Sequence, residues 1–370
     1  MLAFIAVTTL VFALLYALLI LYFRTGLNKL DEEELPTESS SETSFSILIP
    51  ARNEAKNIEN CLIDIIVQHY PASNFEILVI DDFSEDDTAD KVRDFGTIHP
   101  GFSIRLIHLS EEPVALGNSY KKAAISAGIK SSRYDWIITS DADCQRGKQW
   151  LKSINDCIIS NDPILISGPV CFNAQHSFFG KAQSIEFMGL IGIGAASITR
   201  NHPNLCNGAN LIYRKDAFCE VEGFNGNDEI ASGDDEFLMH KIHQRWPGRI
   251  VFLKNPEAIV YTEPEKSLSG FIQQRKRWVS KSRKYTNKNI TAILSGAWLF
   301  HLCLLFCLVA GFFNYLYFII FLLAFGIKVL AEYLFLSRVA RFFNQKAIVN
   351  LIIPCAFLYI FYVLDRKSVV

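Results

Sequence analysis

The chain has 370 residues, a hydrophobic fraction of 50% and a formal net charge of -2. This length allows one large or two ordinary domains, and the near-neutral charge gives no electrostatic reason to expect nucleic acid as a partner. The nine cysteines include no Cys-x-x-Cys pair, which argues against a zinc site or a disulfide framework and indicates a reducing compartment.

The apolar residues are concentrated at the two ends of the chain. Residues 2–23 carry no charge and could cross a bilayer, whereas the basic segment that precedes the core of a cleaved signal peptide is absent. We predict an uncleaved transmembrane helix over residues 1–23 and a linker over residues 24–44. Arg24 and Lys29 follow this helix directly, so the positive-inside rule predicts that the next domain is cytoplasmic.

Residues 45–265 alternate short apolar runs with helical segments. The apolar runs predict strands over residues 45–49, 75–80, 104–109, 136–140, 164–170 and 211–213. Helices are predicted from Asn57 and over residues 121–129. Such an order predicts an α/β, Rossmann-like domain with a mainly parallel sheet, helices on both faces and the strand ends gathered on one rim.

Carboxylates follow these strands at the predicted rim. Glu54 comes after the first strand, Asp81 and Asp82 after the second, and Asp141 and Asp143 after the fourth. Aspartates one residue apart can share a hard divalent cation, Mg2+ or Mn2+, which in turn holds a diphosphate. A polar loop with helix-capping aspartates is the alternative for an isolated pair of this kind.

Two further polar segments lie later in this region. Asn207 and Gly208 precede the strand over residues 211–213, and Asp234 and Asp235 open an apparent helix. Capping of that helix is the alternative to a functional role for the two aspartates. Between these segments, an apolar stretch at 178–198 predicts a helix at the membrane interface or against the transmembrane bundle.

The last third of the chain predicts membrane attachment. Residues 266–290 mix basic and aromatic side chains, which is typical of an amphipathic helix against anionic lipid. Residues 291–370 contain about three further apolar spans. In the middle span Lys328 and Glu332 are four residues apart, which predicts an ion pair on one helix face rather than a transport role.

The order of these motifs is more specific than any one of them. The acidic motifs end at Asp235 and are followed by a Gln-x-x-Arg-Trp signature at Gln274, Arg277 and Trp278. From about Ser44 to Trp278 the sequence resembles the membrane-embedded family 2 glycosyltransferases, the branch that includes cellulose and hyaluronan synthases and ceramide glucosyltransferase. The resemblance implies a nucleotide-diphospho-sugar transferase fold of the GT-A type, a central mixed sheet and an inverting transfer.

The resemblance also implies a role for each motif. Residues on the donor nucleotide and diphosphate would be Glu54, Asp81, Asp82, Lys122, Asp141 and Asp143, with Asp141 and Asp143 also binding the metal. Residues on the acceptor and diphosphate side would be Asn207, Gly208, Asp234, Gln274, Arg277 and Trp278. Asp235 matches the general base. Phe83 stands where relatives commonly have Gly, so we expect a less tight turn there.

The sequence therefore predicts a membrane-bound inverting glycosyltransferase. It would transfer a sugar from a nucleotide-diphosphate sugar, expected to be a UDP-sugar, to a lipid-linked or growing polysaccharide acceptor. We expect the inner (cytoplasmic) membrane, a cytoplasmic catalytic domain, and an envelope-biosynthesis partner or self-association. The alternatives are a single-transfer glucosyltransferase acting on a ceramide- or diacylglycerol-type lipid, and a non-catalytic nucleotide-binding scaffold of an envelope complex.

Overall fold

The structure, a computed structural model, describes residues 2–30, 42–111, 119–226, 233–280 and 288–365. The chain divides into two compact units. The membrane unit comprises Met1–Asn28, Ala174–Gly192 and Glu265–Val370, and the sheet unit comprises Lys29–Asn173 and Ile193–Pro264. The predicted linker falls largely on residues 31–41, which lie outside the described ranges.

The sheet unit is built on ten strands in its described part. They are β1 (Phe45–Ala51), β2 (Phe75–Asp81), β3 (Ser103–His108), β4 (Trp136–Thr139), β5 (Gln145–Arg146), β6 (Leu165–Ser167), β7 (Val170–Phe172), β8 (Leu211–Arg214), β9 (Ile250–Phe252) and β10 (Val260–Thr262). Seven of them form one sheet in the order β3-β2-β1-β4-β8-β6-β9, and β5-β10-β7 form a small second sheet.

The large sheet is mixed, as the family resemblance implies. β1 pairs in parallel with β2 and β4, and β2 with β3. β8 is antiparallel to both β4 and β6, which makes the sheet less uniformly parallel than the alternation of elements suggests. β1 and β2 are almost entirely buried, because a parallel strand covered on both faces is apolar on both.

The helices of the sheet unit are α2 (Ile58–Ile66), α3 (Thr88–Ile98), α4 (Tyr120–Ser131), α5 (Trp150–Asn161), α7 (Lys215–Glu220) and α8 (Asp234–Arg245). α4 approaches the sheet closely at Gly128. A Cβ atom there would lie 3.0 Å from Cδ1 of Ile80 and 3.1 Å from Cδ2 of Leu48. The glycine therefore lets the helix that begins beside the rim lie directly on β1 and β2.

The membrane unit contains all but the last two residues of α1 (Leu2–Leu30), the first part of α6 (Phe178–Thr199), α9 (Leu268–Ser280), α10 (Lys288–Ala310), α11 (Tyr315–Phe342) and α12 (Ile352–Asp365). Within the described ranges, four helical segments are long and apolar enough to cross a membrane: Leu2–Leu30, Thr291–Ala310, Tyr315–Phe342 and Lys346–Leu364. These four candidate helices, one at the amino end and three at the carboxyl end, match the predicted number and positions.

Two predicted boundaries differ from the structure. α1 continues to Leu30, beyond the predicted end at Phe23. The prediction followed the end of the uncharged stretch, whereas the helix includes the charged residues Arg24 and Lys29 as well. Residues 45–265 are not one continuous unit, since Ala174–Gly192 groups with the membrane helices. A Cβ atom on Gly192 of α6 would lie only 2.6 Å from Cγ2 of Val339 on α11, so the glycine permits close packing of these two helices.

A polar cluster lies inside the membrane unit, with members from α1, α10, α11 and α12. Lys328 is fully buried and its Nζ atom lies 2.6 Å from Oε1 of Glu332, which confirms the predicted ion pair. The hydroxyl of Tyr16 donates to the same carboxylate oxygen at 2.6 Å. The rings of Tyr16 and Tyr359 lie 5.7 and 5.8 Å from the ammonium, and His301 contacts both rings edge to face.

Candidate functional site

Glu54 lies in the loop that follows β1. Its backbone N–H donates to Oγ1 of Thr88 at 2.8 Å, and its Oε2 accepts a hydrogen bond from Nδ2 of Asn57 at 2.7 Å. Burial raises the pKa of the Glu54 carboxyl, the Asn57 hydrogen bond opposes this, and the charges of Asp143 and Asp141 add to it. Glu54 is therefore held within electrostatic reach of the aspartates that follow β4.

Asp81 and Asp82 lie at the carboxyl end of β2. Oδ2 of Asp81 is 3.1 Å from Nδ1 of His108, and Asp82 donates its N–H to the carbonyl of Ala51 at 2.8 Å. Asp82 is only 8% exposed, and within the described ranges its Oδ1 atom has no hydrogen-bond partner. Burial raises the pKa of this carboxyl, with Arg52 opposing the shift. Oδ1 of Asp82 is thus a buried acceptor without a donor among the residues that the structure describes.

Phe83 keeps the backbone conformation that a glycine would adopt. Its φ angle is 54°, in the left-handed region that non-glycine residues rarely occupy. The turn is therefore not loosened in the way that the Gly-to-Phe departure suggested. The Phe83 ring contacts the Tyr120 ring edge to face at 5.9 Å, and the Arg52 guanidinium lies 5.6 Å from the Tyr120 ring centre.

Asp141 and Asp143 follow β4 at the same rim. One ligand atom from each of Asp141, Asp143 and Cys144 lies within 4.8 Å of the others. Asp143 is exposed, and its Oδ2 accepts from Oγ1 of Thr262 at 3.3 Å. Although the residue as a whole is exposed, its carboxyl group is partly desolvated, and this desolvation together with the charge of Asp141 raises the pKa of Asp143. Two carboxylates at this spacing fit a hard divalent cation, which would also relieve their mutual repulsion.

Arg146 braces the loop that carries these aspartates. Its Nη2 atom donates to Oγ of Ser140 at 3.1 Å and to the carbonyl of Cys144 at 3.0 Å. The guanidinium carbon lies 5.0 Å from the centre of the Trp150 ring, and Arg146 is 6% exposed. This role has no signal in the sequence, because an arginine after an acidic motif is equally consistent with an exposed strand residue.

The lysine that contacts the pair Asp141 and Asp143 is Lys121. Its Nζ atom lies 2.6 Å from Oδ1 of Asp141. Burial opposes the charge of this ammonium, but the carboxylates of Asp141 and Asp234 outweigh it and raise the pKa of Lys121. Lys122, the residue chosen from the sequence, is 3% exposed, with Nζ 6.0 Å from the ring centre of Phe237.

Asp234 and Asp235 begin α8, as predicted, with Gly233 as the N-cap at φ 82°. Oδ2 of Asp235 accepts from the N–H of Gly208 at 3.0 Å, and Oδ1 accepts from the N–H of Glu236 at 2.8 Å. Burial raises the pKa of Asp234, Lys121 opposes the shift, and Asp235 adds to it. Lys121 therefore bonds a carboxylate after β4 and interacts electrostatically with the carboxylates that begin α8.

The turn before β8 completes this group. Asn207 accepts a hydrogen bond from the N–H of Ala209 at 2.9 Å, and the carbonyl of Gly208 accepts from Oγ1 of Thr139 at 2.7 Å. A Cβ atom on Gly208 would lie 3.5 Å from Oδ2 of Asp234. The end of β4, the turn before β8 and the start of α8 are thus joined by hydrogen bonds or close contact.

The predicted residues Gln274, Arg277 and Trp278 lie on α9 in the membrane unit. Arg277 is exposed, whereas Trp278 is partly buried. The ring of Trp278 lies 6.2 Å from that of Phe187 and 4.1 Å from the guanidinium of Arg275. The other predicted site residues all belong to the sheet unit.

Family models match most of the chain. The model described as Glycosyl transferase family 2 matches residues 46–221, and the model described as Glycosyl transferase family group 2 matches residues 136–363. The chain is similar to the glycosyltransferase AglE of Haloferax volcanii, with 31% identity over 189 residues, which is 51% of this chain and 58% of that protein.

It is also similar to the poly-beta-1,6-N-acetyl-D-glucosamine synthase of Staphylococcus aureus, with 28% identity over 239 residues, which is 63% of this chain and 53% of that protein. The chain thus spans less than two thirds of the length of either curated relative.

The fold resembles that of a solved mannosyltransferase, PcManGT from Pyrobaculum calidifontis, in complex with GDP-Man and Mn2+. The TM-score is 0.60 at 16% identity, and the match covers 99% of this chain and 100% of that one. At this identity the similarity concerns the fold alone. Because one family model covers well over half of the sequence, this chain belongs to the family 2 glycosyltransferases, with a GT-A-like mixed sheet and candidate membrane helices at both ends.

Proposed function

We propose that the protein is a metal-dependent, inverting glycosyltransferase that uses a nucleotide-diphosphate sugar, with UDP-sugar as the first form to test. The observation that carries this proposal is the position of Lys121, which bonds Asp141 and is electrostatically coupled to Asp234 and Asp235. The ammonium group of Lys121 therefore interacts both with the candidate cation-binding pair and with Asp235, the candidate base. Such an arrangement suits a reaction that separates a diphosphate from a sugar.

The donor side of the reaction would use the rim after β1, β2 and β4. Asp141 and Asp143 would hold Mg2+ or Mn2+, and the bound cation would offset the negative charge of the leaving diphosphate. Lys121 would add a second positive charge. Asp82 would accept a hydrogen bond from an N–H of the base, since its Oδ1 atom lacks a donor among the described residues. Glu54 and Asp81 would complete the nucleoside contacts.

The acceptor side would use Asp235 as general base. Its carboxylate would take the proton from the acceptor hydroxyl while the hydroxyl oxygen forms a bond to the anomeric carbon. The bond from that carbon to the diphosphate oxygen breaks on the opposite face, and the configuration inverts. The hydrogen bond from Gly208 to Oδ2 of Asp235 supports this role because it fixes the carboxylate orientation. The roles predicted for Asn207, Gln274, Arg277 and Trp278 stay predictions.

The decisive experiment compares the wild type with Asp235→Asn in a panel of UDP- and GDP-sugars, with Mn2+ and total membrane lipid as the acceptor source. We expect the variant to lose about 10²- to 10⁴-fold in transfer rate while donor binding persists. Asp90→Asn, at an exposed position of α3, is the matched control. Near-normal turnover of Asp235→Asn would exclude Asp235 as the base. Absence of Mn2+-dependent donor turnover in the wild type would exclude an enzyme and would favour a nucleotide-binding scaffold.

Product length decides the acceptor class. A lipid-linked or growing polysaccharide acceptor would yield chains that lengthen with time, whereas a ceramide- or diacylglycerol-type acceptor would receive one sugar. The candidate spans that follow α9 number three in the described part of the chain, which is few for a polymer channel without self-association or an envelope partner. Arg24 and Lys29 support a cytoplasmic catalytic domain at the inner membrane, which labelling of engineered cysteines from each side would test.

A further inference from the structure

A buried ion pair joins α6 to α9 inside the membrane unit. Arg275 is 3% exposed, and its Nε and Nη2 atoms donate to Oε2 of Glu186 at 3.0 and 2.8 Å. The guanidinium carbon lies 4.6 Å from the Phe271 ring centre and 4.1 Å from that of Trp278. A planar cation at this distance from an aromatic ring is attracted to its face. Arg275 therefore connects a carboxylate on α6 with the ring of Trp278.

The contacts of Arg275 reach two members of the Gln-x-x-Arg-Trp signature. Besides stacking on Trp278, its Nη1 atom donates to Oε1 of Gln274. Arg275 and Glu186 are not themselves among the signature residues. The pair thus contacts the side chains to which the family resemblance assigns acceptor and diphosphate contacts.

α6 also contacts the segment just before α9 and α9 itself. The side-chain amide of Gln183 donates to the carbonyl of Glu265 at 3.0 Å and accepts from the N–H of the same residue at 3.2 Å. The ring of Phe187, next to Glu186, lies 6.2 Å from the ring of Trp278 at an angle of 33°. The Trp278 ring thus contacts Phe187 of α6 directly. It also contacts the guanidinium of Arg275, which is hydrogen-bonded to the neighbouring α6 residue Glu186.

We propose that Glu186, acting through Arg275, is a positioning residue that fixes the ring orientation of Trp278 and the amide of Gln274 for contact with the acceptor. The proposal rests on the proposed function. Without the Glu186 charge, the Arg275 cation would be buried with no carboxylate of the described residues at hydrogen-bond distance, which is strongly unfavourable. It would move toward water, and its stacking on Trp278 would be lost.

The test uses Glu186→Gln and Arg275→Lys in the full-length protein, with Lys276→Met as the matched control because Lys276 is an exposed cation on the same helix. Each variant is also made with Trp278→Phe added. Because the chain has five tryptophans, the signal of Trp278 is obtained as the difference in acrylamide quenching between each protein and its Trp278→Phe counterpart. We expect Trp278 to become more accessible to quencher in both variants and to stay unchanged in Lys276→Met.

Kinetics with total membrane lipid as acceptor provide the second measurement. We expect the apparent acceptor KM to rise about fivefold in Glu186→Gln, the effect of losing one stacking interaction of about 1 kcal/mol, while the donor KM stays near the wild-type value. Unchanged Trp278 quenching together with an unchanged acceptor KM in Glu186→Gln would overturn the proposal.

A charge swap separates positioning from simple helix fastening. Glu186→Arg with Arg275→Glu restores an ion pair but puts a carboxylate, which an aromatic face repels, beside Trp278. We expect Glu186→Gln and Arg275→Lys each to lower the thermal unfolding temperature, because each weakens the ion pair. The swap should restore this temperature without restoring Trp278 quenching or the acceptor KM. Recovery of the unfolding temperature, Trp278 quenching and acceptor KM together would mean that the pair stabilises the packing of α6 against α9 and does not position Trp278. If the wild type transferred no sugar, the proposed function would fail, and the quenching comparison would still decide whether Glu186 positions Trp278.

Discussion

The Nζ atom of Lys121 lies 2.6 Å from Oδ1 of Asp141, whereas the adjacent Lys122 is almost completely buried, with its own ammonium 6.0 Å from the Phe237 ring centre. Successive residues of an α-helix point about 100° apart. Two neighbouring lysines at the start of α4 therefore have different surroundings. The sequence places a cation at this point of the chain, and the rotation of α4 decides that Lys121 is the one beside the carboxylates.

Replacing Lys121 should impair the chemical step more than the binding of the acceptor. We expect Lys121→Met to lower kcat by about 10²-fold, the usual effect of removing one preorganised charge that stabilises a leaving group. Lys122→Met should lower kcat less, and Lys130→Met, at an exposed position of the same helix, should leave it unchanged. Steady-state rates at saturating donor provide the measurement. An equal loss in Lys121→Met and Lys130→Met would refute the assignment.

Chelation should abolish the reaction, and the metal requirement should depend on pH. The pKa of Asp143 is raised by partial desolvation of its carboxyl group and by the charge of Asp141, so Asp143 takes up a proton at higher pH than an ordinary aspartate. Metal ligands must be deprotonated. As the pH falls, protons therefore compete more effectively, and the concentration of Mn2+ that gives half-maximal rate should rise.

The measurement is a Mn2+ titration of activity at several pH values after removal of metal with EDTA. Asp143→Asn should need more Mn2+ at every pH and should show a smaller change with pH, since the titrating group is gone. Asp90→Asn should follow the wild type. A Mn2+ requirement that is independent of pH in the wild type would show that Asp143 does not titrate in competition with the cation.

Phe83 offers a test of backbone strain at the rim. Alanine would keep the left-handed conformation at φ 54° and lose the ring contact with Tyr120, whereas glycine would relieve a strain of about 1 kcal/mol. Glycine also increases the entropy of the unfolded chain, which offsets about 0.4–1 kcal/mol of that relief. We expect Phe83→Gly to unfold at the same temperature as Phe83→Ala or higher, although glycine is normally the less stable choice. A clearly lower unfolding temperature for Phe83→Gly would contradict the strain assignment.

The ion pair between Lys328 and Glu332 should contribute more to stability than an exposed pair. Glu332→Gln leaves the fully buried Lys328 without its carboxylate, and we expect a loss of about 3–5 kcal/mol in the free energy of unfolding. Lys328→Met combined with Glu332→Gln removes both charges and should be more stable than Glu332→Gln alone. Unfolding in detergent provides the measurement, with exposed Lys346→Met as control. A double variant less stable than Glu332→Gln would contradict the prediction.

The sequence alone determined the features that depend on local pattern. Uncharged stretches fixed the positions of the membrane helices, because about 20 apolar residues can span a bilayer wherever they lie. Short apolar runs between helical segments fixed most strands, and the carboxylates at Glu54, Asp82 and Asp143 were located because they follow those runs directly. In a parallel sheet the carboxyl ends of strands share one rim.

Only the tertiary structure decided the relations between segments far apart in the chain. The antiparallel insertion of β8 beside β4 brings Gly208 to the site, and no pattern within the strand itself encodes its neighbour. Arg146 donates hydrogen bonds to the loop that carries Asp141 and Asp143, and Lys121 bonds Asp141. Glu186 holds Arg275 across 89 residues. These contacts depend on helix rotation, strand pairing and side-chain packing, which are fixed by the whole fold rather than by neighbouring residues.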